Sequence, residues 1–313
     1  MAGRWFEPGF GRPARPGPDL AVVSSADDAE IWLRVDVDNW LGALRSAAVS
    51  GQYRLVLDCA ESMHWFSDRW PHASHWHEVF TLGSQAAAAL GDLAQQAAQL
   101  NYLAWVHSVP PSDPQAMLRC ATQALDLATR SGATAQIAAS HQSTGRALIA
   151  LGRPAEAAAP ASRAAETFKT LGDIDSYVQC LSLLGLCRRD EGRSSEALDY
   201  FRKTLALIDD EESGMTPAIA AQSRPYALLR IGQCLGALGR RTEAITTLTE
   251  AVGLMEALHP DFRQAEALES LAGLLAEDGR AGESRRAYAR AAQVFRAIDD
   301  AGASSRCDAL AAP

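Results

Sequence analysis

Gly192-Arg193-Ser194-Ser195-Glu196-Ala197 occurs again, conservatively varied, as Gly152-Arg153-Pro154-Ala155-Glu156-Ala157 and Gly239-Arg240-Arg241-Thr242-Glu243-Ala244, and with a changed last residue as Gly279-Arg280-Ala281-Gly282-Glu283-Ser284. The copies stand 40, 47 and 40 residues apart, and fixed periods of this size decide a fold before any local propensity does. Small residues keep a constant offset upstream of each phrase (Gly145, Gly185, Gly232, Ala272) and at its end (Ala157, Ala197, Ala244, Ser284). Four residues further on come Ala161, Phe201, Leu248 and Tyr288, and three beyond those Ala164, Thr204, Ala251 and Ala291. Two antiparallel helices approach closely only where facing side chains are small, and a larger residue fills the space left between pairs. Each phrase then reads as the turn inside a helix pair: its glycine ends the first helix in the left-handed conformation, and its glutamate complements the positive start of the second.

This set of offsets resembles positions 8, 20, 24 and 27 of the tetratricopeptide repeat (TPR), which implies an all-α fold, a TPR-like right-handed α-solenoid of antiparallel helix pairs. Repeats longer than the basic 34 residues imply helices lengthened by about a turn, or longer linkers. Leu100-Asn101-Tyr102-Leu103-Ala104-Trp105 repeats the first-helix pattern with Ala104 as the small residue, and Gln115 to Arg130 follows after Pro110-Pro111-Ser112-Asp113-Pro114. Residues 53–92 read as a degenerate pair. Residues 26–50 read as a leading helix capped by Ser25, with an apolar stripe of Ala29, Trp32, Leu33, Trp40, Leu41 and Leu44. Repeats are expected at about 93–132, 133–172, 173–219, 220–260 and 261–300, followed by a C-terminal tail. The acidic run Asp209 to Gly214 explains the 47-residue interval as a solvated loop. Residues 1–25, rich in proline and glycine and holding Trp5, Phe6 and Phe10, have no periodicity and read as a flexible segment.

A formal charge of −9 disfavours direct nucleic-acid binding, which draws its affinity from clustered Lys and Arg. The six cysteines form no CxxC pair, so neither a zinc site nor a disulfide framework is expected. No apolar run approaches a membrane span, and Met1 to Phe10 lacks a signal-peptide core, so a cytoplasmic location follows. Neither a Gly-x-x-x-x-Gly-Lys-[Ser/Thr] loop nor a Gly-x-Ser-x-Gly elbow occurs. No catalytic residue, cofactor or metal is assigned.

Trp32-Leu33-Arg34, then Asp38-Asn39-Trp40-Leu41 and Ala43-Leu44-Arg45, resembles the helix that opens the TPR region of actinobacterial STAND-type regulators, including the antibiotic regulatory (SARP) proteins. Trp70, Trp76-His77-Glu78 and Ala86-Ala87-Ala88-Ala89-Leu90-Gly91-Asp92 are similar to the pair that follows, and Leu100 to Trp105 to a third helix, with Tyr102 and Ala104 as departures. The resemblance extends to about residue 300. In that family the TPR region is the sensor or scaffold of a chain that also holds an ATPase module and often a DNA-binding domain. The present chain is then either a portion of such a regulator or a free-standing relative.

In TPR arrays, positions 2, 5, 6, 9, 12 and 13 of the first helices face the concave groove. Here they place Asn101, Tyr102, Trp105, Gln142, Arg146, Gln179, Ser182, Arg189, Tyr226, Arg230 and Gln233 as candidate ligand-binding residues. Arginine pairs with carboxylates bidentately, and tyrosine gives contact area at low entropic cost. The same residues could equally be the solvated side of each helix. A carboxylate clamp of the chaperone-binding kind is ruled out, because position 2 is Ala98, Ala139, Gln179, Tyr226 and Glu266, with no lysine. His72, His75 and His77 do not share a helical face, so the segment His64 to Glu78 reads as an aromatic corner rather than a metal site, with an aromatic ligand pocket as the alternative. The leading reading is a non-catalytic module that binds a protein or peptide segment, or a small-molecule effector, in transcriptional or signalling regulation. Two others stay open: an enzyme or ligand-binding protein of a biosynthetic cluster, and a self-associating homo-oligomeric scaffold.

Overall fold

A computed structural model describes residues 25–67, 69–70, 73–109, 111–257 and 261–312. The proline- and glycine-rich stretch before Ser25, with Trp5, Phe6 and Phe10, lies outside the described residues, as do His72 and Pro110. Among the described residues there are fifteen helices and no strand. They are α1 (Ala26–Val35), α2 (Val37–Val49), α3 (Tyr53–Ser67), α4 (Trp76–Ala89), α5 (Leu93–Val106), α6 (Pro114–Ser131), α7 (Thr134–Ala150) and α8 (Pro154–Leu171). There follow α9 (Ile174–Asp190), α10 (Ser194–Asp209), α11 (Pro217–Ala237), α12 (Arg241–Met255), α13 (Phe262–Glu277), α14 (Ala281–Ala297) and α15 (Ala301–Ala311). None is long and apolar enough to cross a membrane. The fold is a TPR-like array of antiparallel helix pairs.

The chain divides between Thr167 and Phe168 into two compact units. In the first, α3 to α6 each pack on the helix before and after, and the first helices α3, α5 and α7 also touch in series. In the second, α9 to α15 pack on their neighbours, with α9, α11 and α13 in series. The core of the first unit centres on Leu33, Phe66, Trp76 and Phe80, all fully buried, and that of the second on Phe201, Leu229, Leu248 and Leu268.

The repeat's small positions act within each pair. A Cβ added at Gly185 would lie 2.7 Å from the Phe201 ring, and one at Gly232 would lie 2.5 Å from Leu248 Cγ. The large residue sixteen positions downstream therefore lies directly over the glycine of its own pair, and it also shares a core cluster with the next pair: Phe201 with Ile231 and Leu235 of α11, Leu248 with Leu268 and Leu271 of α13. Ser284 adds a polar version of the same contact, its hydroxyl donating to the Ala272 carbonyl at 2.8 Å. Each Gly-Arg-x-x-Glu turn holds its glycine at positive φ, 77° at Gly192. The arginine that follows forks onto the glutamate three residues on: Arg193 Nε and Nη2 reach the two Glu196 oxygens at 2.7 Å each. The same fork recurs at Arg153–Glu156, Arg240–Glu243 and Arg280–Glu283. These pairs are exposed, so they order the turn more than they stabilise the fold.

Two local expectations are modified. The leading helix is capped by Ser25, which accepts from the Asp28 amide at 3.0 Å, but it breaks at Asp36 into α1 and α2. The Trp40 indole donates to the Leu33 carbonyl at 2.9 Å, occupying the acceptor that residue 37 would use in a continuous helix. The 47-residue interval holds the loop 210–216 and also a longer α11. The acidic residues Asp209 to Glu212 are exposed, as expected, while just beyond the run Met215 is buried and Thr216 donates from its amide and hydroxyl to Asp175 at 3.0 and 2.6 Å.

Gly185→Ala should destabilise the protein by about 1–3 kcal/mol through overpacking against Phe201. Gly42→Ala, in the middle of α2 with nothing within 4 Å of the added methyl, should stabilise it by roughly 0.5–1 kcal/mol. Urea midpoints of the two variants moving in the same direction would contradict this packing.

Candidate functional site

The first-helix face of the first unit is built from α3, α5 and α7. Asn101 is 6% exposed; its amide donates to the Gln136 side chain at 3.0 Å and accepts from the Ser140 hydroxyl at 3.1 Å, tying α5 to α7. Tyr102, one residue on, donates its phenol to Glu61 Oε1 at 2.9 Å, and Gln99 donates to Glu61 Oε2 at 3.0 Å. His64 stacks on the Tyr102 ring at 3.8 Å. Burial, the neighbouring Glu61 charge and the hydrogen bond to it push the Tyr102 phenol well above its ordinary range, so this tyrosine is a neutral donor. Trp105 is half-buried against the core of the unit, and Gln142 and Arg146, one helical turn apart on α7, are half-buried as well.

In the second unit the face is formed by α9, α11 and α13. Gln179 is exposed and Ser182 half-buried on α9. Tyr226 donates to Asp261 at 3.1 Å, while the Arg263 guanidinium lies 4.7 Å from its ring centroid; burial and the Asp261 charge raise the phenol's pKa. Arg189, Arg230 and Gln233 form one connected strip. Arg230 Nη1 donates to Glu266 Oε1 at 2.6 Å and to Gln233 Oε1 at 2.9 Å. Arg189 Nη1 reaches the same Gln233 oxygen at 3.4 Å, and its guanidinium pairs with Asp190 at 2.8 Å. Gln233 Nε2 donates to Glu266 Oε1 at 2.9 Å and to the Ser270 hydroxyl at 3.2 Å. Burial works against ionisation of Glu266, but the Arg230 charge, hydrogen bonds from Arg230 and Gln233, and the Arg189 charge together hold its carboxyl below the usual range.

The eleven sequence-derived positions thus fall into two groups. Asn101 and Tyr102 are tied to neighbouring helices of the first unit, whereas Arg189, Tyr226, Arg230 and Gln233 form the polar surface of α9 and α11 in the second. Glu266 and Ser270 complete the strip and are absent from the candidate set, although positions 2 and 6 of the last repeat point to them. Glu61 and Gln99 had no such signal, because the pair holding Glu61 keeps no repeat register.

The segment His64 to Glu78 forms a packed corner. His75 meets Trp40 and Trp76 at ring-centroid distances of 5.2 and 4.3 Å, and Trp76 is fully buried with its indole donating to the Trp70 carbonyl at 2.7 Å. His77 faces His107 at 5.3 Å, and Glu78 forks onto Arg45 at 2.6 Å. Its described histidines therefore point to three different sets of partners. The six cysteines hold free thiols, and burial pushes Cys187 up to about 11, far from the thiolate form that reacts.

No protein-family profile matches the chain, and no curated protein matches it by sequence. Several solved structures share its fold. Aspartyl phosphate phosphatase F from Bacillus subtilis aligns with a TM-score of 0.54 at 12% identity, over 91% of this chain and 74% of that one. A Rap protein complexed with Competence and Sporulation Factor gives 0.56 at 13%, over 90% and 89%. NprR in complex with its cognate peptide NprX gives 0.57 at 12%, over 85% and 81%. At these identities the likeness is one of fold.

Burial lowers His64 and His75 to about 4 from an ordinary 6.5. The folded chain therefore binds fewer protons than the unfolded one between these values, and stability present above pH 6.5 is lost as pH falls toward 4. The limiting slope is about 1.4 kcal/mol per pH unit per histidine. Urea midpoints at pH 7, 5.5 and 4.5 should fall in that order, and His64→Phe should flatten the decline; an unchanged decline in that variant would show His64 to be uninvolved.

Proposed function

We propose that the first-helix face binds an extended protein or peptide segment and that the chain is a non-catalytic recognition module of a regulatory system. The observation that carries this reading is the strip on α9, α11 and α13, where side chains from three successive first helices join into one hydrogen-bonded polar surface. A surface of this kind offers donors and acceptors at helix-to-helix spacing along a line, which suits an extended backbone better than a compact molecule. Structures of similar fold support it: NprR is held with its cognate peptide and a Rap protein with Competence and Sporulation Factor. The name of the phosphatase F neighbour brings no activity with it. The resemblance of the first helices to STAND and SARP regulators adds a setting, with this chain acting in the cytoplasm as the sensor part of such a system.

Screening the purified chain against a random octapeptide library tests the reading. Enriched peptides should lose tenfold or more in affinity, about 1.4 kcal/mol, on Tyr226→Ala or Arg230→Ala, with the loss exceeding any change in melting temperature. A library that yields no binder, or binders indifferent to both substitutions, would sink it.

A further inference from the structure

The inference drawn here rests on the peptide-recognition reading and names the chemistry recognised. Two guanidinium groups converge on a single amide oxygen: Arg189 Nη1 at 3.4 Å and Arg230 Nη1 at 2.9 Å from Gln233 Oε1. The two nitrogens are then no more than about 6 Å apart, a distance at which like charges repel unless an anion lies between or beside them. Each arginine has one carboxylate on its outer side, Asp190 for Arg189 and Glu266 for Arg230. Gln233 is the wedge that holds the pair together, its amide fixed by Glu266 and Ser270 on the nitrogen side.

Glu266 is the imperfect member. Its Oε1 takes both the Arg230 and Gln233 bonds, while its Oε2 is buried with no hydrogen-bond donor. Arginine and carboxylate ordinarily meet through two parallel bonds, and an acceptor buried without a donor has given up its hydration with nothing in return. Rotating Glu266 outward would return Oε2 to water and free Arg230, so the internal pairing is readily exchanged for a better one. We propose that Arg189 and Arg230 form a carboxylate-binding pair, and that Glu266 is an internal competitor for Arg230 which an acidic group of the ligand displaces. The charge balance selects the class of anion. With Glu266 turned out to solvent, two arginines against Asp190 leave one positive charge uncompensated, which suits one added negative charge and disfavours a dianion such as phosphate.

The full chain is immobilised and offered three octapeptide libraries, random except for a central Glu, Gln or Lys, and is separately titrated with N-acetylglycine as a free monocarboxylate. The Glu library should be retained at least fivefold over the Gln and Lys libraries. Arg189→Gln, alone and with Arg230→Gln, should remove that preference, with melting temperatures reporting that the variants fold. Glu266→Gln should raise retention of the Glu library about threefold. Equal retention of the Glu and Gln libraries overturns the carboxylate pair and leaves peptide recognition standing. Weaker retention by Glu266→Gln overturns the competitor role, since Glu266 would then be a ligand contact. N-acetylglycine binding that is lost in Arg189→Gln, with no library retained, upholds the pair for a small acid and removes the peptide reading. No retention and no titration overturns both.

Discussion

The fold depends on contacts at which one helix of a pair has no side chain. Phe201 lies where a Gly185 Cβ would be, and Leu248 does the same over Gly232. Removing a methyl at one position lets a ring or a branched chain enter from the other, which brings the two backbones to the distance at which the rest of the pair can interdigitate. Everything on the first-helix face inherits its placement from this contact, because the face is the opposite side of the same helices. Arg189 lies one turn beyond Gly185, and Gln233 immediately follows Gly232.

The polar surface shows what such placement achieves. Gln233 bonds partners on α9, α11 and α13 at once, which requires the three helices to be held at a fixed separation by the core beneath them. A single amide could not bridge helices free to slide. The same dependence holds in the first unit, where Asn101 ties α5 to α7 and Tyr102 ties α5 to α3. In both units carboxamides and phenols, groups that donate without carrying charge, make ties between helices, joined in the second unit by the Arg230–Glu266 ion pair.

Much of this was legible in the chain itself. The Gly-Arg-x-x-Glu phrase locates α7 to α14 and their turns, because the glycine, the fork and the small positions are all local in sequence. The register it provides also reaches Arg189, Arg230 and Gln233. What it misses has a common cause. The break at Asp36 comes from the Trp40 indole capturing the Leu33 carbonyl, a side-chain choice that apolar periodicity does not encode. Glu61 sits in a pair without repeat phrasing, so nothing in sequence connects it with Tyr102, forty-one residues away. The seating of Phe201 over its own glycine, in addition to its place against α11 of the next pair, is likewise a matter of how a ring lies and not of which residues recur.

Among the described residues, the helices of each unit pack mainly on their nearest and next-nearest neighbours. A protein of this kind has no residue that must satisfy partners from both ends of the chain, so its length is not fixed by its core. Duplicating one forty-residue pair adds a further stretch of first-helix surface and its own turn, with the new joints identical in kind to those already solved. The inheritance of such a gene can therefore lengthen or shorten the first-helix face in whole steps, leaving the rules of packing unchanged while the side chains on the exposed face diverge.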